Sequence, residues 1–220
     1  MNVLGISCHY HDAAAALLVD GHLAAAVQEE RFSRKKHDAG FPSLAIEHCL
    51  EHAGLEPGDL DYVVFYEKPF VKAERLMTTI VATFPRSRRL FWDGMHRWLT
   101  EKMWVKATIR SRLGTPADRI LFVDHHTSHA ASSLFASPFE EAAILTVDGV
   151  GEWTTATMGR GRADWGQGGT NRIELTHELR FPHSLGLLYS VFTAWLGFEV
   201  SSTTPRSSST GWSRRSSGAR

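Results

Sequence analysis

The sequence predicts an α/β fold, and three stretches carry that prediction. Ile120–Trp153 reads as strand, helix, strand and acidic glycine turn. Asn2–Gln28 reads as three short apolar strands, with Asp20-Gly21 as the hairpin turn between the last two. Pro42–Tyr66 reads as an amphipathic helix followed by a strand. Strands alternating with helices in this way build a layered α/β domain rather than a bundle or a sandwich.

The elements follow in order. Asn2–Cys8 is an apolar strand, and His9-Tyr10-His11-Asp12 is a polar turn. Ala13–Val19 and His22–Gln28 are the next two strands; alanine also favours helices, but Asp20-Gly21 between two short apolar runs favours strand. The mixed-charge run Glu29–Asp38 is expected at the surface, because charge runs are usually solvated. Pro42–Leu55 places Leu44, Ile46, Cys49, Leu50 and Ala53 on one helical face, with Ser43 as its cap and Gly54 as its stop. Asp59–Tyr66 is a strand whose Val63, Val64 and Phe65 belong to the core.

Val71–Leu113 reads as a helical, basic stretch with ten Lys or Arg against Glu74, Asp93 and Glu101, and Pro85 breaks it. Interleaved tryptophans admit a grip on single-stranded nucleic acid, but a helical insertion with solvated Lys and Arg is the simpler reading. Such an insertion also suits an acceptor site or a dimer contact. Ile120–Val123 and Ala142–Val147 are strands flanking a helix that Asp124 is placed to cap. Gly161–Asn171 is a glycine-rich loop, and Ile173–Leu179 is a strand. Leu185–Leu196 is an apolar helix expected to be buried.

The candidate site lies in the Ile120–Trp153 stretch. His125 and His129 are four apart and share one face of a helix. Asp148 ends the next strand, and Gly149 and Gly151 let backbone N–H groups approach a ligand. Two imidazoles near a carboxylate suit a transition metal, with positions left open for water or phosphate. The plain alternative is a polar cluster, since the chain has 12 His. His126 points to another side of the helix, as a hydrogen-bonded or surface histidine.

Composition narrows the classes. The 220 residues are 43% hydrophobic and 22% charged, a soluble globular balance. The 24 basic and 24 acidic side chains cancel, so no global charge favours nucleic acid or an anionic membrane. Two cysteines, Cys8 and Cys49, make no disulfide framework and point to a reducing compartment. No secretory signal is visible, because His9, His11 and Asp12 interrupt the first apolar stretch. Ser184–Phe198, 15 residues without a charge, is shorter than a bilayer span. A cytoplasmic protein is expected.

HHTSHAASSLFASPF followed by ILTVDGVGEWTT resembles the O-carbamoyltransferases of antibiotic and nodulation-factor biosynthesis, the NodU/CmcH type. EERFSRKKHD and FPHSLGLLYSVFTAWLGF match the same family, and the resemblance covers Val3 to Val200. It implies an actin-like ATPase (ASKHA) fold, with residues 1–140 as the first lobe, a helical insertion at 71–113, and 141–200 opening the second lobe. It implies ATP and carbamoyl phosphate as substrates and a divalent metal of the Fe(II) kind at His125, His129 and Asp148. It implies catalytic roles for His11 and Lys36. The first turn, Cys8–Ala13 with Asp12, and the turn holding Gly149, Gly151 and Glu152 would face the nucleotide phosphates. A small-molecule hydroxyl is the implied acceptor, with no nucleic acid and no membrane, and a homodimer is an option for the full-length member.

A further metal carboxylate and the adenosine-binding half of the family lie downstream of this stretch, so a truncated N-terminal piece is expected. Ser201–Arg220 has eight Ser, three Thr and four Arg and cannot bury a core. It is expected to be out of frame in a GC-rich gene, with a natural disordered tail as the alternative. Two other functions stay open: a non-catalytic fragment that binds metal or nucleotide, and an actin-fold kinase or relative of the tRNA-threonylcarbamoyladenosine-forming proteins.

Overall fold

The computed structural model describes residues 1–89, 91–92, 94, 98, 102–164, 166 and 169–198. The chain opens with β1 (Asn2–Ser7), β2 (Ala14–Val19) and β3 (His22–Gln28), an antiparallel meander turning at residues 8–13 and at Asp20-Gly21. After it come the single-turn α1 (Glu30–Ser33), α2 (Ser43–Ala53), β4 (Tyr62–Phe65) and α3 (Pro69–Thr83). Next are α4 (Val105–Leu113), β5 (Ile120–Phe122) and α5 (His125–Leu134). The order β3-β2-β1-β4-β5 makes one mixed sheet, in which β4 runs parallel to β1 and β5 parallel to β4. This is the expected α/β class, and the chain opens with the expected strand, turn, strand, Asp-Gly, strand order.

Alternation along the strands decides which face carries the core. Leu4, Ile6, Ala15, Leu17, Val63 and Phe65 are buried on one face, under Ile46, Cys49 and Leu50 of α2 and Val105 and Ile109 of α4. Val64 points the other way, onto a groove lined by Gly5, Ser7, Ala14 and Ala16. Both cysteines are buried and unbridged.

A second, antiparallel sheet follows: β6 (Glu141–Val147), β7 (Thr154–Arg162) and β8 (Arg172–Arg180) in that order. Ala130 and Leu134 of α5 pack on its Ile144, beside Ala163. Helix α5 therefore leaves the edge strand of the first sheet and lies on the second. Its first turn is held where the two meet.

Five expectations are corrected. Asp124 is the N-terminal residue of α5 but makes no side-chain cap; its carboxylate binds Lys68 Nζ at 2.7 Å instead. Ser43 does not cap α2 either. The carboxylate of Glu29 accepts from the Leu44 and Ala45 N–H groups, so Glu29 is buried rather than solvated. Lys72 and Lys102 are likewise drawn inward, onto Glu67. Finally, α6 (Leu185–Trp195) has no buried residue: Leu188, Tyr189 and Trp195 are 52%, 76% and 78% exposed. Residues 90, 93, 95–97 and 99–101 of the basic stretch and the Ser/Arg-rich tail lie outside the described residues.

Candidate metal centre

The site is built where α5 begins. The α-helical rise puts His125 and His129 on successive turns of one face. Strand β6 then delivers Asp148 to the same place. His125 Nε2 lies 2.8 Å from Asp148 Oδ2 and 3.1 Å from His129 Nε2. The three ligand atoms all lie within 4.8 Å of one another. Two ligand atoms at a right angle around a cation, each about 2.1 Å away, stand about 3 Å apart. The observed spacings fit that arrangement.

Hydrogen bonding alone satisfies the cluster poorly. One N–H on His125 Nε2 cannot serve both the Asp148 carboxylate and the His129 lone pair. Donation from His129 instead would turn the His125 lone pair toward an anion. A cation at the common point satisfies all three converging atoms at once, while the buried His125 Nδ1 stays without a hydrogen-bond partner among the described residues. Burial works against an ionised Asp148, but the His125 contact, the Gly149 N–H and the His129 ring outweigh it and hold the carboxyl at about 2. Burial, reinforced by His125, lowers His129, which favours the neutral imidazole that a metal needs. His129 is exposed, so the centre opens to solvent on that side.

The surroundings fix the ligands. The Tyr66 ring meets His125 edge-on, with centroids 5.6 Å apart. A Cβ at Gly151 would lie 2.7 Å from the His125 ring, so only glycine lets the turn pass there. Gly186 plays the same part for the next segment: a Cβ there would lie 2.4 Å from the Asp148 carbonyl oxygen. Ser184 Oγ donates to the Gly149 carbonyl at 2.5 Å and accepts from Leu187 N–H. The Phe181–Gly186 segment thus clamps the Asp148–Gly149 backbone. Neither Tyr66 nor this clamp was singled out by the sequence reading; both need tertiary packing to be seen.

His126 is buried on the opposite side. Its Nε2–H donates to the Thr154 carbonyl at 2.9 Å, so Nδ1 is free to accept from Thr146 Oγ1 at 2.6 Å. Thr157 Oγ1, 2.6 Å from Thr146, completes the chain. Burial lowers His126 and keeps it neutral. It ties α5 to the second sheet and takes no part in the centre.

The other sequence-predicted residues fall in two places. His11 and Asp12 share the first turn, where Asp12 binds His11 Nδ1 at 2.8 Å and His37 Nδ1 at 2.9 Å. Burial opposes ionisation of Asp12, but the two imidazoles outweigh it and lower the carboxyl. His37, within the KHD of the charged run, was not singled out from sequence. Lys36 is exposed and makes no hydrogen bond or ion pair among the described residues, so the structure does not join it to His11. The Gly149 N–H is turned onto Asp148 Oδ1 at 2.6 Å rather than outward. Glu152 is buried and accepts from the Lys68 N–H at the N-cap of α3.

Fold and site together define an α/β protein whose strand ends gather two imidazoles and a carboxylate beside a glycine turn. The chain belongs to the Carbamoyltransferase N-terminus family, whose model matches residues 2–210 and so runs past Val200, where the resemblance was read as ending. Uncharacterized protein sll1178 of Synechocystis sp. is 51% identical over 209 residues, covering 91% of this chain and 33% of that protein. Nodulation protein NolNO of Sinorhizobium fredii is 36% identical over 195 residues, covering 86% of this chain and 26% of that one. The chain thus spans about a third or less of the length of these curated relatives. Among solved structures, YeaZ from Pseudomonas aeruginosa is 16% identical, with a TM-score of 0.41 over 83% of this chain and 69% of that one. No helix among the described residues is long and apolar enough to cross a membrane.

Proposed function

We propose that the chain is the N-terminal part of an ATP-dependent O-carbamoyltransferase, with His125, His129 and Asp148 as the ligands of a divalent metal such as Fe(II). The convergence of those three atoms, in a member of this family, carries the reading. The five-stranded sheet is read as the first actin-like lobe and the three-stranded sheet as the opening of the second. The whole protein would cleave carbamoyl phosphate to carbamate and phosphate. Carbamate oxygen would then displace pyrophosphate from the α-phosphorus of ATP, giving carbamoyl adenylate. A small-molecule hydroxyl would attack its carbonyl carbon and expel AMP.

When bound, the metal would act as a Lewis acid on phosphate or carbonyl oxygen. The chain's own residues have separate tasks. Asp12 holds His11 through Nδ1 and leaves Nε2 to exchange a proton with substrate. Lys36, exposed and unpaired among the described residues, is available as a point charge for a phosphate oxygen. The Ser184 clamp keeps Asp148 in register with the two histidines.

The test uses the full-length Synechocystis relative. Pyrophosphate release should need both ATP and carbamoyl phosphate, and should fall by about 100-fold or more when the aspartate matching Asp148 becomes Asn. Release at the parental rate in that variant would remove the centre from the chemistry.

A further inference from the structure

Beside the metal centre lies a cluster that the proposed function does not use. Glu67, at the end of β4, is 1% exposed and binds Lys72 Nζ at 2.7 Å and Lys102 Nζ at 3.0 Å. The two lysine side chains are themselves only 16% and 15% exposed. Both ammonium groups sit over the Tyr10 ring, 4.8 and 5.7 Å from its centroid. Arg75, one turn along α3 from Lys72, completes the group. It is half-buried, its guanidinium lies 5.6 Å from the Phe181 ring, and that group makes no hydrogen bond or ion pair among the described residues.

Charge is the reason this cluster calls for a ligand. Three cations face the Glu67 carboxylate, and Asp148 is the other anion whose charge reaches Arg75, so cations outnumber anions in a half-desolvated place. Burial lowers Lys72 to about 8, opposed by Glu67 and assisted by Lys102, and burial also lowers Arg75. Such shifts mark cations that gain by acquiring an anion. A solvated helix face would show neither the shared buried carboxylate nor an unpaired guanidinium turned inward. The place is reachable, because Tyr10 is exposed at its edge. It also adjoins both candidate sites. Tyr10 stacks on His11 with centroids 4.4 Å apart, and the charge of Asp148 is felt at both Tyr10 and Arg75.

We propose that Lys72, Arg75 and Lys102 form an anion site that takes a phosphate-type dianion between the Tyr10–His11 turn and the metal centre. Two ammonium groups and one guanidinium supply charge and N–H donors from separate positions, which matches three phosphate oxygens better than one carboxylate. A bound anion also offsets the excess of cations. Only the carrier of the phosphate rests on the proposed function.

The experiment is calorimetric titration of the 220-residue chain in EDTA, so that metal binding and its loss play no part. The probes are inorganic phosphate, carbamoyl phosphate and AMP, each against the native chain, Arg75→Gln and Lys102→Gln. At least one probe should bind the native chain, and each substitution should weaken it about tenfold or more. The tightest probe identifies the phosphate's source. Arg75→Gln removes a side chain that holds no ion pair, so it decides alone if Lys102→Gln unfolds. Arg75→Lys, which keeps the charge, should retain more affinity than Arg75→Gln. Unchanged affinity in Arg75→Gln, or no binding of any probe tighter than about 10 mM, would overturn the site.

Discussion

Glu152 is the residue whose charge costs the chain most visibly. It is buried beside Asp124 and Glu67, and burial together with those two carboxylates raises it above the ordinary Glu range; the Lys68 N–H only partly offsets this. The sign follows. A raised carboxyl holds its proton longer in the folded state, so stability falls as pH rises from the ordinary range through the folded value. Glu152→Gln keeps an oxygen for the Lys68 N–H and loses the charge. It should melt at a higher temperature than the native chain at pH 7, with the gain gone below about pH 4. Thermal melts at the two pH values check this, and a lower melting temperature at pH 7 would mean the charge has a compensating partner.

At the scale of elements, α5 does two jobs with adjacent histidines. His125 faces the centre, whereas His126 ties the helix to β6 and β7 through Thr146 and the Thr154 carbonyl. His126→Phe keeps the bulk of the ring but strands that carbonyl and the Thr146 hydroxyl proton. It should cost about 1–3 kcal/mol in urea unfolding while leaving metal content alone. No loss of stability would show that water replaces the tie without penalty.

Much of this element was legible in the sequence, because strand, i,i+4 histidines and strand-end aspartate are all local signals. The Asp20-Gly21 hairpin and the alternation in β1 and β4 were legible for the same reason. What escaped was long-range. The Glu29 cap reaches α2 from 15 residues upstream of Leu44. The Glu67 triad joins residues 35 apart. The exposure of α6 is not a local property at all: its apolar composition predicts a covered helix, but none of its residues is buried.

The whole molecule is two sheets with α5 running between them, and the centre sits at that junction. One sheet contributes the strand end that launches His125 and His129. The other contributes Asp148, and the clamp after β8 holds it in place. The Tyr10 turn and α3 border the same junction with His11 on one side and three cations on the other. Under the proposed function, the ligand held at this junction is a divalent metal, for which three converging ligand atoms are on hand. The most direct measurement is metal content after anaerobic loading with Fe(II), for the native chain and for His125→Ala, His129→Ala and His126→Ala. The account predicts one metal per native chain and per His126→Ala chain, and loss in the other two. Equal metal content in all four proteins would contradict it.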